Sequence, residues 1–183
     1  MKKLLQFTAI LGITLLTLNA AAKEAQKCPV SGEPADPKCT LKYEGKPYSF
    51  CCGKCSKKFD SELKGSLYHK LGGKKAINAA VDLFYTKVLA DKQVRHFFED
   101  VSMKRQASKQ KQFLAAAFGG PEPWTGKDMR KAHRHLDLKE ADFNAIAGHL
   151  QATLQELKVK PELVRQAMAI AASTKDDVLN KQK

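Results

Sequence analysis

Acidic residues are scarce in this chain, whose 183 residues include 19 Asp and Glu against 32 Lys and Arg, giving a formal net charge of +13 at pH 7. A positive excess of this size is typical of proteins that bind nucleic acids. The lysines, however, are spread through every segment and form no stripe with interleaved aromatic residues. The distribution predicts a solvated basic surface and no nucleic-acid partner, and it leaves open an attraction to anionic lipids or to a cofactor's carboxylates.

The chain also lacks an apolar run of the length that an ordinary transmembrane helix needs, about 20 residues. Its longest uncharged and mostly apolar stretch, residues 4–18, follows Lys2 and Lys3 and precedes the small residues 20–22. This order is typical of a secretory signal peptide. We expect residues 1–22 to be a signal peptide cleaved near Ala22, and the mature chain to be exported, periplasmic and without a stable membrane anchor. An uncleaved anchor is the alternative.

Alternating apolar and polar residues, the pattern of half-buried β-strands, are missing beyond residue 65. Apolar residues recur there at intervals of three and four, which predicts four substantial helices around residues 77–89, 113–117, 143–157 and 163–171. Pro161 suits the first turn of the last helix. The Gly and Pro cluster at residues 119–123 predicts an extended loop. This part of the chain is therefore expected to be all helical.

One histidine of this part, His133, lies in a short apolar stripe with Met129, Ala132 and Leu136 at the spacings of one helical face. An imidazole that faces an apolar surface needs a partner. A backbone carbonyl in the protein core is one candidate, and a haem iron is another.

Motifs of one known family surround this histidine between residues 67 and 179, about two thirds of the chain. They comprise Leu71-Gly72-Gly73, the segment 82–91 (DLFYTKVLAD), Phe97-Phe98, the segment 103–110 with Gln106 and Gln110, the segment 118–126 (FGGPEPWTG), and Met129-Arg130-Lys131-Ala132-His133. In order and spacing they resemble the truncated haemoglobins, most closely those of group I.

The resemblance implies a mainly α fold, the two-on-two helical sandwich of truncated globins, with haem b as cofactor. It implies that His133 is the proximal ligand of the iron, that Phe97 and Phe98 pack against the porphyrin, and that Tyr85 donates a hydrogen bond to bound dioxygen. Gln106 and Gln110 would supply further amide donors. Without the resemblance, the phenylalanines would be read as ordinary core and the glutamines as solvent-facing residues of a helix.

Five cysteines precede the helical part: Cys28, Cys39, Cys51, Cys52 and Cys55. Apolar alternation on both sides of the segment 44–47 predicts a β-hairpin, and Cys55, Phe59 and Leu63 lie on one face of a predicted helix. The chain has an early cysteine, then a gap of about twenty residues and a closing pair of cysteines. This pattern resembles that of the small YHS and TRASH type metal-binding modules. We expect such a module at residues 23–64, folding separately from a globin domain at residues 65–183.

Thiolates favour zinc, copper(I) or another thiophilic metal. Cys28, Cys51 and Cys55 fit the spacing of the ligands, with Cys39 or Cys52 as a fourth, because Ser31 stands where many zinc knuckles have a second cysteine. An open site with only three protein ligands is the alternative to a site with four. Disulfides are the competing interpretation in an exported chain, although five cysteines cannot all pair. A third interpretation is a set of cysteines that switches between metal binding and disulfides with its redox state.

Three classes of function follow from these patterns. The first is an exported haem protein that binds dioxygen, nitric oxide or another small diatomic ligand, with nitric oxide dioxygenase or peroxidase-like chemistry and a thiolate metal site attached. The second is a metal-handling protein, and the third a thiol redox sensor; in both, the helical domain mediates contacts. The electron donor is unknown from the sequence, so enzymatic turnover is not assigned.

Overall fold

The computed structural model describes residues 26–181, so the signal peptide expected at residues 1–22 lies outside the described residues. Two strands are followed by helices. In chain order these are β1 Asp36–Tyr43, β2 Lys46–Phe50, α1 Gly53–Gly65, α2 Leu67–Leu71, α3 Gly73–Ala90, a 3-10 helix at Arg95–Phe98, α4 Met103–Ala117, α5 Met129–His133, α6 Glu140–Glu156, α7 Pro161–Ser173 and α8 Lys175–Val178. None of the helices in this part of the chain has the length and apolar character needed to span a membrane.

The four predicted helices are present as α3, α4, α6 and α7, and they form the sandwich that the resemblance implied. Helix α3 packs against both α4 and α6, and α6 packs against α7. The core between them is apolar, with Val81, Val88 and Ala167 fully buried and Phe84 nearly so. The fold is therefore mainly α, as expected, with Pro161 in the first turn of α7.

The predicted hairpin is also present. Strands β1 and β2 pair antiparallel, with Tyr43 opposite Lys46, so that Glu44 and Gly45 form a two-residue turn. Both turn residues have positive φ, +46° and +83°. This is the backbone twist that short hairpin turns favour.

The hairpin and α1 pack against the helical domain, and the separate folding of residues 23–64 stays a prediction. Leu63 of α1 belongs to the same buried cluster as the residues of α3, α4, α6 and α7, and Tyr43 and Phe59 pack against that cluster. A segment of some forty residues buries little apolar surface by itself. The segment completes its core against the helical domain.

Glu44 fastens the hairpin turn to the start of α3. Its Oε1 accepts a hydrogen bond from the backbone N–H of Lys74 at 2.8 Å, and its Oε2 accepts one from the Tyr68 hydroxyl at 2.7 Å. A carboxylate at this end of a helix is favoured by the helix dipole. Gly73, with φ of +68°, leaves the space for it, because a Cβ there would overlap Glu44 Oε1.

Candidate functional site

A cavity of about 920 Å³ opens between α3, α4, α5, α6 and the loop before α5. It is within the size range of small-molecule and cofactor sites, and most of its lining is apolar. All six of the residues that the resemblance assigned to haem binding line it: His133, Tyr85, Phe97, Phe98, Gln106 and Gln110. The structure therefore brings together residues that are up to 48 positions apart in sequence.

His133 lies at the end of the short helix α5. That helix is capped by Asp128, whose side chain accepts a hydrogen bond from the Lys131 backbone N–H at 2.8 Å. The His133 Nδ1 lies 2.8 Å from the Met129 carbonyl oxygen. A carbonyl oxygen can only accept, so Nδ1–H donates this hydrogen bond, and Nε2 is the ring nitrogen left for another partner. His133 is thus oriented by its own helix as metal-ligating histidines are.

Tyr85 lies on α3, lines the same cavity as His133 and is only 6% exposed. The Gln106 Nε2 donates a hydrogen bond to the Tyr85 hydroxyl oxygen at 3.1 Å. Because that oxygen already accepts a bond, its own proton remains available for another acceptor in the cavity. Burial raises the pKa of Tyr85 above its usual value of 10, against the opposing effect of the Gln106 bond. The phenol is therefore a neutral hydrogen-bond donor at neutral pH.

The other assigned residues of the cavity have less specific contacts. The Phe98 ring meets the Tyr85 ring edge-on at 5.8 Å, and the Phe97 ring lies 3.9 Å from the His96 ring. Both phenylalanines belong to the 3-10 helix and are half-buried. Within residues 26–181, the side-chain hydrogen bond to Tyr85 comes from Gln106, and Gln110 lines the same cavity without joining it.

Sequence reasoning missed part of the cavity wall. Trp124, Thr125, Gly126 and Lys127 line it from the loop, and Lys109 and His135 add polar groups. In the sequence, Trp124 is only part of a motif, and His135 lies in none of the motifs. The Pro and Gly content of residues 119–126 signals a loop, but it does not show which way that loop faces.

The cysteines form a second cluster, at the junction of β2 and α1. The sulfur atoms of Cys28, Cys51 and Cys55 all lie within 4.8 Å of one another, and Cys28 is 1% exposed. Among the described residues, Cys39 and Cys52 are outside this trio, although the Cys52 sulfur is 3.8 Å from that of Cys51. All five cysteines are free thiols in the structure. We call Cys28, Cys51 and Cys55 the cysteine cluster.

Ser31 contacts the cysteine cluster. Its Oγ lies 3.3 Å from the Cys51 sulfur, in a tight loop closed by the hydrogen bond from the Gly32 N–H to the Cys28 carbonyl. Burial acts to raise the pKa of Cys28, but hydrogen bonds from the Ser31 side chain and from the backbone of Cys51, Ser31 and Val30 outweigh it and lower the pKa to about 6. For Cys55, hydrogen bonding to Cys51 and then burial raise the pKa to about 12.

Both sets of residues fit the groups that the sequence implied. A histidine that lines an apolar cavity with its Nδ1 already bonded, together with hydrogen-bond donors in the same lining, suits a haem with an exchangeable ligand. Sulfurs bound to one ion at about 2.3 Å lie roughly 4 Å apart, which matches the spacing of the cluster. The cysteine arrangement fits three thiolates better than four.

Comparison with known proteins agrees with the cavity. The family model described as "Bacterial-like globin" matches residues 66–180, more than half of the chain. The chain belongs to this family. Within it, the similarity is to the group 1 truncated haemoglobins: the protein LI410 of Chlamydomonas moewusii is 53% identical over 117 residues, which cover 63% of this chain and 68% of that protein.

Solved structures of this globin family show the same fold. The truncated haemoglobin of Tetrahymena pyriformis in its Fe(III) form is 43% identical, with a TM-score of 0.61 over 62% of this chain and 97% of that one. The 2/2 haemoglobin of Synechococcus sp. PCC 7002, with covalently attached haem, is 44% identical, with a TM-score of 0.62 over 63% and 99%. Solved variants of the Tetrahymena protein replace one tyrosine and two glutamines at the spacing of Tyr85, Gln106 and Gln110.

Proposed function

We propose that this globin is an exported haem b protein that binds dioxygen or nitric oxide, and that its cysteine cluster binds a thiophilic metal. The observation that carries the haem assignment is the orientation of His133, whose Nδ1 is bonded to Met129 and whose ring lines the large cavity. Relatives named haemoglobins, and solved structures with Fe(III) or attached haem, support it.

His133 Nε2 would hold the iron, and the bond from Nδ1 to the Met129 carbonyl would fix the ring plane and make Nε2 a better donor. When bound, the haem supplies an iron centre that binds diatomic gases and can exchange electrons. Phe97, Phe98 and the apolar lining would exclude water from that centre. Lys109, Lys127 and His135 line the cavity as polar groups suited to its carboxylates.

Tyr85 would hold the gas ligand. Its hydroxyl accepts from Gln106 and keeps its proton for a ligand that carries partial negative charge. Gln110 adds an amide that can donate into the same cavity. An arrangement that favours a polarised diatomic ligand is compatible with oxidation of nitric oxide to nitrate or with peroxide reduction, given an electron donor whose identity is unknown.

The decisive experiment is the optical spectrum of the full chain expressed with haem supplied. We expect a Soret band in the native protein, its loss or weakening in His133→Ala, and its partial recovery when imidazole is added. His69→Ala, a change at a histidine that is not among the residues lining the cavity, should keep the native spectrum. An unchanged ferrous spectrum in His133→Ala would contradict the assignment, and His135 or another base would then ligate.

The cysteine cluster supports a second candidate function, metal handling or thiol redox sensing. The three sulfurs lie within 4.8 Å of one another on a segment that the globin relatives' match, residues 66–180, does not include. Metal analysis and thiol counting after reducing, anaerobic purification separate the two chemistries. Bound zinc or copper supports metal handling, whereas reversible disulfides without metal support a redox sensor.

Export to the periplasm is part of the proposal, and its support is the sequence pattern of residues 1–22. Cell fractionation followed by sequencing of the mature N-terminus tests it. We expect the protein in the periplasmic fraction with its first residue near position 23. A cytoplasmic protein that retains Met1 or starts at Lys2 would contradict export.

A further inference from the structure

The loop between α4 and α5, residues 119–128, is a wall of the large cavity and leads directly into the helix of His133. Four of its consecutive residues, 124–127, line the cavity. Its internal bonding is sparse: the Trp124 indole N–H donates to the Lys127 carbonyl at 3.0 Å, and the indole meets Phe113 edge-on. We call this segment the cavity loop.

One residue of the cavity loop, Glu122, reaches away from the cavity to the hairpin. Its Oε1 accepts a hydrogen bond from the Tyr48 hydroxyl at 2.7 Å and pairs with the Lys46 ammonium at 2.5 Å. Partial burial acts to raise the pKa of Glu122, but the bonds from Lys46 and Tyr48 outweigh it and lower the pKa. The carboxylate is therefore charged at neutral pH and holds two donors at once.

The two donors are themselves fixed by the hairpin. Lys46 and Tyr48 both belong to β2, and the Tyr48 ring packs against Phe59 of α1 at 5.2 Å. Burial, followed by the hydrogen bond to Glu122, raises the pKa of Tyr48, so its hydroxyl remains a donor. An exposed Lys–Glu pair alone contributes little. The neutral, half-buried tyrosine supplies the directional contact.

The strand that holds Glu122 ends at the cysteine cluster. Phe50, the last residue of β2, is fully buried, and Cys51 follows it directly. The cavity loop is thus connected, through Glu122 and strand residues 48–50, to the cysteine cluster. The cluster lies outside the part of the chain that the globin family model matches.

We propose that Glu122 is a positioning residue through which the hairpin fixes the wall of the haem cavity. The hairpin then belongs to the haem site, although none of its residues lines the cavity in the described part of the chain. Releasing Glu122 frees the cavity loop, exposes Trp124 and weakens the retention of haem. This inference rests on the proposed haem function.

The test compares Glu122→Ala, Glu122→Gln and Tyr48→Phe with the native full chain. Glu156→Gln is the matched control, because Glu156 pairs with Lys87 at 2.5 Å and is as exposed as Glu122, 54%, but lies outside the cavity loop. The readouts are the rate of haem transfer to excess apomyoglobin and the emission of Trp124, the one tryptophan of the chain, in haem-free protein. Circular dichroism verifies that each variant is folded.

We expect Glu122→Ala and Tyr48→Phe to release haem about 3-fold to 10-fold faster than the native chain, as the loss of one net hydrogen bond implies. Glu122→Gln, which keeps an acceptor oxygen, should lie between. In the two faster variants, Trp124 emission should shift to the red and be quenched more readily by acrylamide. Glu156→Gln should behave like the native chain.

The proposal is overturned if folded Glu122→Ala and Tyr48→Phe match the native chain in both readouts, or if Glu156→Gln changes them equally. A native chain that shows no Soret band refutes the proposed function instead. In that case the Trp124 emission of the variants still decides whether the hairpin holds the cavity loop.

Discussion

The hydroxyl of Tyr85 is the group on which retention of a gas ligand depends. A hydrogen bond to a partly charged partner contributes about 1.5–3 kcal/mol, so Tyr85→Phe should speed dioxygen release roughly 10-fold to 100-fold. Stopped-flow displacement of dioxygen measures this rate. Replacing Gln106 and Gln110 together should also speed release. Unchanged release in both Tyr85→Phe and the double glutamine variant would refute this hydrogen-bond network.

The protonation of Tyr85 gives a second prediction. Because burial raises its pKa above 10, the folded phenol is neutral below that pH and loses its proton only at higher pH. We therefore expect the dioxygen release rate of the native chain to stay constant between pH 7 and about 9. A rise in the release rate within that window, absent from Tyr85→Phe, would show that the phenol ionises early.

The residues of the cavity differ in how far the sequence alone predicts them. His133, Tyr85 and Gln106 lie in motifs whose order and spacing are preserved, and the structure brings all three to one cavity. The motif that contains Glu122, residues 118–126, does not predict what Glu122 contacts, and Glu44 lies in none of these motifs. Their partners are Tyr48, 74 positions away, and Lys74, 30 positions away, and these contacts depend on how the hairpin docks.

The turn from α4 into the cavity loop has little tolerance for a side chain. Gly119 has φ of +82°, and a Cβ there would lie 2.9 Å from Ser66 Cβ. Gly119→Ala should therefore destabilise the fold by about 1–3 kcal/mol. Gly148, exposed in α6 with open space around it, is the matched position, and Gly148→Ala should stabilise by about 0.5–1 kcal/mol. Equal effects in urea unfolding would contradict this contrast.

The longer helices were predictable because their apolar periodicity directly reflects burial on one face. The hairpin was predictable from alternation on both sides of residues 44–47. The short elements α2, α8 and the 3-10 helix at Arg95–Phe98 were not, since four or five residues carry too little periodicity. The docking of α1 was also missed. The stripe of Cys55, Phe59 and Leu63 predicts a buried face, but not that Leu63 joins the globin core.

Taken as a whole, the molecule joins two sites of different chemistry through one core. The cysteine cluster lies at the end of β2, β2 holds the cavity loop through Tyr48 and Lys46, and the loop continues into the helix of His133. Each step is a direct contact or a covalent connection. A change in the conformation of the cysteine cluster can therefore reach the haem cavity through these contacts.

Metal binding at the cysteine cluster tests this connection between the cluster and the haem cavity. We expect the reduced full chain to bind one Zn²⁺ or Cd²⁺ at Cys28, Cys51 and Cys55, because the three sulfurs already lie at ligand spacing. Alkylation followed by mass spectrometry should show these thiols protected with metal and reactive after chelation, while the haem spectrum survives. Loss of a residue that only supports a metal ligand typically lowers metal affinity roughly 10-fold to 100-fold. Because Cys28 is proposed to bind the metal directly, Cys28→Ser should lower the affinity by more than this.

Cys39→Ser is the control, because within the described part of the chain Cys39 lies outside the cysteine cluster. The metal affinity of this variant should match that of the native chain. If the hairpin transmits order to the cavity loop, metal should slow haem transfer in the native chain and not in Glu122→Ala. Two mapped disulfides and no bound metal after reducing, anaerobic purification would instead make the segment a crosslinked structural element. Haem retention would then depend on the oxidation state of the cysteines, because the connection through Glu122 is the same in either case.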